Sequence, residues 1–107
     1  MDKQRLIENR IFAQHALIAQ RLRESPTPVL AHARQNLARW SRKYSRQQIP
    51  KWLKEWERLL AGPIEDLLRV LNSDSERARR LRASSPFAGI VSARARWAIY
   101  RDISDEA

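Results

Sequence analysis

The sequence contains no cysteine and only two glycines, and both shortages narrow the classes of fold that it supports. Without cysteine there is no disulfide scaffold and no zinc site built from thiolates. Scarce glycine, together with few β-branched residues, argues against a β-sandwich, a β-barrel and a glycine-rich nucleotide-binding fold. No run of about 18 apolar residues occurs, so we expect no transmembrane helix. A charged start with no signal-peptide core favours a cytoplasmic protein.

Arginine is the residue that the sequence has in excess. Of its 21 cationic residues 17 are arginine, against 12 acidic residues, which leaves a formal net charge of +9. Arginine binds phosphate and carboxylate groups through a planar fork and loses its hydration more readily than lysine. The charge therefore favours an anionic partner, either a nucleic acid or an acidic protein surface. A solvated arginine-rich surface with no binding role is the alternative.

Apolar residues recur at steps of three and four along most of the 107 residues, which is typical of amphipathic helices. Since 43% of the residues are hydrophobic, the chain can bury one modest core, and we assign its four tryptophans to that core. The pattern predicts an all-α, single-domain bundle of about five to six helices over residues 1–107, with a frayed acidic tail at 104–107. We expect the helices at residues 2–24, 28–45, 50–61, 63–72, 74–83 and 93–103.

Capping signals mark most of the helix ends. Thr27 is a suitable N-cap for the second helix, and Pro28 suits its first position. We expect Gly62 in the left-handed conformation that often follows a helix. Ser73, with a glutamate three residues later, has the spacing of a capping box before the fifth helix. Ser92 can cap the last helix.

Groups that could catalyse a reaction or bind a metal are sparse. His15 and His32 are the two histidines, and neither has an acidic residue three or four positions away. A metal site needs more ligands than these. Glu65 and Asp66 form a carboxylate pair, but acidic residues collect in the first turn of a helix because of its dipole. No phosphate-cradling glycine loop occurs, so we expect a non-enzyme without metal or cofactor.

The densest group of cations lies in the short fifth helix. Successive helical residues are rotated by about 100°, so Ala78 and Leu81 give this helix only a narrow apolar stripe. Its arginines would then point outward, where they could enter a major groove or lie along phosphates. We therefore predict DNA or RNA contact through Arg77, Arg79, Arg80 and Arg82.

The segment between the fifth and sixth helices is unusually apolar for a loop. Phe87 and Ile90 either tuck under the core, with Gly89 allowing the turn, or form an exposed hook for a partner protein. Large aromatic residues commonly anchor protein interfaces, and the last helix supplies two more. The candidate partner-binding residues are Pro86, Phe87, Ile90, Arg94, Trp97, Tyr100 and Arg101.

Two stretches of the C-terminal half carry a resemblance to known proteins. Residues 84–90 read SSPFAGI, and residues 96–99 read RWAI. Together with the run from Trp56 to Leu71, they resemble small helical bacterial proteins of mobile or accessory gene clusters, some of which are antitoxin-like. The resemblance implies a protein-binding accessory factor, which in the antitoxin-like members is a partner of a toxin.

These observations predict a small basic bacterial interaction protein, antitoxin-like or a small regulator, that binds a partner protein through residues 84–101 and nucleic acid through residues 77–82. The alternative is a structural or assembly adaptor that binds an acidic protein surface without nucleic acid. A basic amphipathic module on an anionic membrane is less consistent with helices whose apolar stripes can satisfy one another. The broad apolar face of the first helix leaves a homodimer open.

Overall fold

The computed structural model describes residues 2–104 of the chain. Over this range it contains six α-helices and no β-strand, which confirms the predicted all-α bundle. None of these helices is long and apolar enough to cross a bilayer. Of the tail predicted at 104–107, only Ser104 falls within the described residues. The helices are α1 (Lys3–Glu24), α2 (Pro26–Ser41), α3 (Lys51–Ala61), α4 (Ile64–Asn72), α5 (Glu76–Arg82) and α6 (Ala93–Asp102), with one 3-10 turn at Arg46–Gln48.

Four helices match their predicted bounds to within one residue, whereas α2 and α5 differ by more. α2 begins at Pro26, two residues before the predicted start. Proline suits the first turn of a helix because the N–H that it lacks has no partner there. Thr27 therefore lies inside α2 and does not cap it. α2 ends at Ser41, and the chain continues through a turn that was predicted to be helical to residue 45.

Ser75, and not Ser73, caps α5. The Ser75 hydroxyl accepts a hydrogen bond from the Ala78 N–H at 3.1 Å, while the Ser73 hydroxyl accepts one from the Ser75 N–H. The capping box predicted from Ser73 is wrong because α5 begins only at Glu76, which makes Ser75 the residue directly before its first turn. Ser92 caps α6 as predicted and accepts a hydrogen bond from the Ala95 N–H at 3.1 Å.

The special conformation of glycine is used at Gly89 and not at Gly62. Gly62 has a φ of −93°, so the left-handed conformation predicted after α3 is wrong. Gly89 has a φ of +93°, which a residue with a Cβ rarely adopts. This conformation turns the chain between α5 and α6.

The core is built mainly by the apolar faces of α1 to α4. Trp56 of α3 is fully buried, and its indole N–H donates to the Leu81 carbonyl at 3.1 Å. Phe87 meets the Trp56 ring edge to face, with 5.9 Å between the ring centres. α5 adds Ala78 and Leu81 to the buried side chains. α5 and the loop that follows it are thus attached to the centre of the bundle.

α6 lies outside this core and packs on α1. None of its residues is buried. Trp97 is 71% exposed, so the assignment of all four tryptophans to the core is wrong. Trp56 is fully buried, while Trp40 and Trp52 are half-buried at the edge of the core. The last helix therefore presents an aromatic side chain that the fold itself does not use.

Candidate partner interface on helix α6

Arg82 is a core residue and not a free surface cation, contrary to the prediction. It is only 3% exposed. Its Nη1 group donates to the carbonyl oxygens of Val70, at 2.9 Å, and Ser73. These carbonyls lie at the C-terminal end of α4, where no helical N–H reaches them. Its guanidinium also lies 4.7 Å from the centre of the Phe12 ring. Burial also lowers the pKa of this guanidinium. Because the group is buried and bonded to carbonyls, it is not available to a phosphate.

The other three arginines of α5 are paired with carboxylates of the molecule itself. Arg80 donates two hydrogen bonds to Glu55 of α3, at 3.2 and 3.1 Å, and Arg77 lies 3.8 Å from the same carboxylate. The hydrogen bond from Arg80 lowers the pKa of Glu55. Arg79 lies 3.9 Å from Glu8 of α1. The predicted outward orientation is therefore correct for these three side chains, which reach solvent, but each of them already has a carboxylate partner.

Pro86 and Phe87 are buried, so the exposed hook is wrong and the alternative of a loop tucked under the core is correct. Asn36 of α2 donates through Nδ2 to the Pro86 carbonyl at 2.8 Å and to the Ala88 carbonyl at 3.2 Å. Ile90 is half-buried and packs against the core. The loop candidates therefore stabilise the fold and do not form an accessible surface.

The four candidates on α6 remain exposed and lie close together. Arg94, Trp97 and Arg101 occur at positions i, i+3 and i+7, so they share one face of the helix. Among the large hydrophobic residues within 2–104, Trp97 is the most exposed, and Tyr100 is 37% exposed beside it. These four residues, Arg94, Trp97, Tyr100 and Arg101, are termed the α6 surface.

Arg10 of α1 holds α6 in place. Its Nε and Nη2 groups donate to the carbonyl oxygens of Ile103, at 2.9 Å, and Tyr100, at 3.2 Å. Carbonyl groups at the end of a helix lack partners within it, so a basic side chain can satisfy them. The Arg10 guanidinium also lies 4.6 Å from the centre of the Tyr100 ring. Trp97 meets Tyr100 edge to face at 6.1 Å between ring centres, which orients the aromatic pair in the free protein.

Arg10 is the residue of this site that the sequence did not indicate. Its hydrogen-bond partners are 90 and 93 residues away along the chain. No local spacing or capping pattern predicts a contact of that range. An arginine on the first helix is a weak signal, since the chain has 16 other arginines.

The cations of α6 are available for a partner. Arg94, Arg96 and Arg101 form no ion pair within residues 2–104. Asp102, at the last position, is the only acidic residue of this helix. The α6 surface therefore combines an exposed aromatic pair with guanidinium groups that have no carboxylate from the described part of the chain.

Neither histidine belongs to this surface. The His15 Nδ1–H donates to the Ile11 carbonyl at 2.8 Å, and Nε2 is buried without a hydrogen-bond partner. Burial lowers the pKa of His15 to about 4, so the imidazole is neutral at pH 7. His32 donates through Nε2–H to the Ala88 carbonyl and helps to hold the loop. Residues 2–104 contain no group of three or more side chains that could hold a metal ion.

Comparison with known proteins found no matching protein-family model, no similar curated protein and no similar solved structure. The resemblance of residues 84–90 and 96–99 to antitoxin-like proteins therefore stays a prediction. The function must follow from the contacts and charges of the described residues.

Proposed function

We propose that this protein is a non-enzymatic interaction protein that binds an acidic surface of a partner protein through the α6 surface. The observation that carries the proposal is the 71% exposure of Trp97 on a helix with no buried residue. Tryptophan, tyrosine and arginine are the residues that most often dominate the binding energy of protein interfaces. Covering this exposed aromatic area in a complex would remove it from water, which is favourable.

Charge determines the kind of partner. Arg94, Arg96 and Arg101 are unpaired within residues 2–104, and a carboxylate is the planar acceptor that a guanidinium binds with two hydrogen bonds. The net charge of +9 speeds association with an acidic surface and repels a second copy of the chain. A partner with carboxylates around an apolar depression therefore fits the α6 surface better than a homodimer does.

The arginines of α5 have no part in this proposal. Arg77, Arg79 and Arg80 already have carboxylate partners, and Arg82 is buried. A phosphate backbone would have to displace Glu55 and Glu8 before it gained these contacts. An acidic protein that meets the cations of α6 faces no such competition from the carboxylates of residues 2–104.

An antitoxin-like role is one form of this function. Of the residues that carry the resemblance, Trp97 belongs to the α6 surface, whereas Phe87 belongs to the core. Of the residues that carry the resemblance, the one on the α6 surface, Trp97, is therefore the one that could contact a toxin. In that case the α6 surface would cover an acidic region of the toxin.

The test begins with photo-crosslinking in the source cells. Trp97→p-benzoylphenylalanine places the reactive group on the α6 surface, and Gln20→p-benzoylphenylalanine is the control, at an exposed residue about 15 Å along α1 from Arg10. We expect an acidic protein to be captured by the first variant and not by the second. Crosslinks at residue 97 only to lipid, to nucleic acid or to a second copy of the chain would contradict the proposal.

The captured partner is then purified, and its affinity is measured by calorimetry. Trp97→Ala and Arg101→Glu should each weaken binding by at least about 30-fold, which corresponds to the 2 kcal/mol typical of a dominant interface residue. Arg21→Glu removes an exposed cation near the other end of α1 and makes the same change of net charge. Equal losses for Arg101→Glu and Arg21→Glu would indicate non-specific charge attraction and overturn the assignment of the surface.

A further inference from the structure

Three aromatic side chains form a small pocket at the junction of α2, α3 and the turn after α5. Trp40 and Tyr44 come from the end of α2 and the turn that follows it, and Trp52 comes from the first turn of α3. The pocket has a volume of about 360 Å³, at the lower end of the range for small-molecule sites. Its remaining lining residues are Lys43, Ala83, Ser84 and Ser85. These seven residues are termed the aromatic pocket.

The walls of the aromatic pocket are held in position by the fold. The rings of Trp40 and Trp52 meet at an interplanar angle of 65°, with 6.2 Å between their centres. Both tryptophans are half-buried against the core, so their exposed faces are fixed in orientation. Tyr44 is 39% exposed at the rim. A flat ring that enters the pocket would therefore meet preformed aromatic surfaces.

Charge distinguishes between the ligands that an aromatic pocket can take. Aromatic cages commonly bind quaternary ammonium groups through cation–π interactions. Here Lys43 lines the pocket, and no carboxylate does. Arg42, Lys43 and Arg46 form no ion pair within residues 2–104, so this segment repels a cation and attracts an anion. The chemistry that fits is a flat ring attached to a negatively charged group.

We propose that the aromatic pocket binds a base of single-stranded nucleic acid, with the cations of residues 42–46 on its phosphates. Every base has a π-face that stacks on an aromatic side chain, but in a duplex these faces are covered by neighbouring bases. The polar edge of the base would meet Ser84 and Ser85. The Ser84 hydroxyl donates to the Leu81 carbonyl and can still accept, whereas the Ser85 hydroxyl accepts from the Phe87 N–H and can still donate.

This proposal does not depend on the α6 surface, because the two sites share no residue. It also differs from the predicted nucleic-acid contact through α5. That prediction relied on arginine density, whereas the aromatic pocket offers stacking together with cations that have no carboxylate partner among the described residues. The expected ligand is accordingly an unpaired strand and not a duplex.

The test measures the binding of four fluorescein-labelled 12-nucleotide probes to the full chain by fluorescence anisotropy at 50 mM salt. The probes are single-stranded DNA, single-stranded RNA, a DNA duplex and an abasic DNA strand, which keeps the phosphates and lacks the bases. We expect at least one single strand to bind at least about fivefold more tightly than both the duplex and the abasic strand, as stacking of one base requires. Preference for the duplex, or equal binding of the abasic strand, would overturn the proposal.

Variants then assign the binding to this pocket. Tyr44→Ala removes an exposed ring and should weaken binding of the preferred strand by at least about fivefold, while circular dichroism checks that the helices remain. Trp97→Ala is the matched control, since it removes an exposed aromatic residue elsewhere and should leave the affinity unchanged. Equal effects of the two variants, or no effect of Tyr44→Ala, would contradict the proposal.

A second readout uses the tryptophans of the pocket. In a Trp97→Phe background the exposed indole no longer contributes, and stacking of a base should quench the fluorescence of Trp40 and Trp52. Lys43→Glu should reduce the steepness with which the affinity falls as salt is added, because one phosphate contact is lost. Binding without quenching, or an unchanged salt dependence, would place the nucleic acid elsewhere on the molecule and overturn the assignment.

Discussion

Helices α5 and α6 are both short and rich in arginine, but they use this side chain in opposite ways. α5 buries three residues, and each of its four arginines has a partner within the molecule. α6 buries none, and its Arg94, Arg96 and Arg101 have no carboxylate partner among residues 2–104. α5 therefore has the denser positive charge along the sequence but fewer arginines that are available to a partner.

The difference comes from what each helix packs against. α5 contacts α1 and α4, and its arginines reach Glu8 of α1 and Glu55 of α3. α6 packs on α1 near Arg10, which is itself a cation and binds backbone carbonyls. Arginine density along the sequence therefore does not locate a binding surface. The carboxylates and backbone carbonyls that lie close in space decide whether an arginine is available to a partner.

The largest expected effect on stability distinguishes the loop between α5 and α6, which packs in the core, from α6 itself. Phe87→Ala should lower the free energy of unfolding by about 3–5 kcal/mol, because it leaves a cavity beside Trp56. Trp97→Ala should change it by no more than about 0.5 kcal/mol, since that ring is 71% exposed. Urea denaturation of the two variants measures both values. Similar losses would mean that α6 is as much a part of the core as the loop is.

The second-largest effect on stability distinguishes the buried Arg82 of α5 from the exposed Arg94 of α6. Arg82→Met keeps much of the side-chain volume but leaves the Val70 and Ser73 carbonyls without a donor. We expect a loss of about 2–3 kcal/mol in the free energy of unfolding, which is typical when hydrogen bonds from a charged group to buried acceptors are removed. Arg94→Met is the matched control on α6 and should leave the denaturation midpoint unchanged. A stable Arg82→Met variant would show that the buried guanidinium is dispensable.

The free energy of unfolding should also depend on pH through His15 of α1, which is buried near Arg82 of α5. Its pKa falls from 6.5 to about 4 on folding, mainly through burial, with a further contribution from the charge of Arg82. At pH values between these two pKa values, the unfolded chain binds more protons than the folded chain. The free energy of unfolding therefore falls as the pH drops through this window. From pH 7 to pH 5 we expect a loss of about 2 kcal/mol from this group.

Urea midpoints at both pH values measure this loss, and His15→Gln should remove this part of the pH dependence. An equally steep slope in the variant would assign the pH dependence to other groups.

The smallest effect tests the internal neutralisation of α5. Glu55→Gln should release Arg77 and Arg80 and raise the salt concentration at which the protein leaves a heparin column. Glu57→Gln is the control, because it removes the same charge from an exposed neighbour that forms no ion pair in the described range. Exposed ion pairs contribute little to stability, so neither variant should shift the denaturation midpoint much. Identical elution of the two variants would mean that Glu55 does not mask the arginines.

Features that depend on neighbours in the sequence were predictable. The apolar period located four helices to within one residue, and the Ser92 cap is correct because an N-cap bonds to an N–H three residues away. The Ser73 capping box failed within the same short range, because two serines lie two residues apart and either of them could precede the first turn of the helix. For Phe87 the sequence left a buried and an exposed position open, because an apolar residue in a loop fits both.

The order of apolar and polar residues was enough by itself to determine that this chain forms helices, because the helical period and the caps act over three or four positions. Which arginines are satisfied was decided only by the tertiary structure. Arg80 and Glu55 are separated by 25 residues, and Arg10 and Ile103 by 93, so these contacts exist only once the helices have packed. The same packing buries Arg82 and leaves Trp97 in water, because a side chain's solvent exposure depends on the helix opposite it and not on its neighbours in the chain.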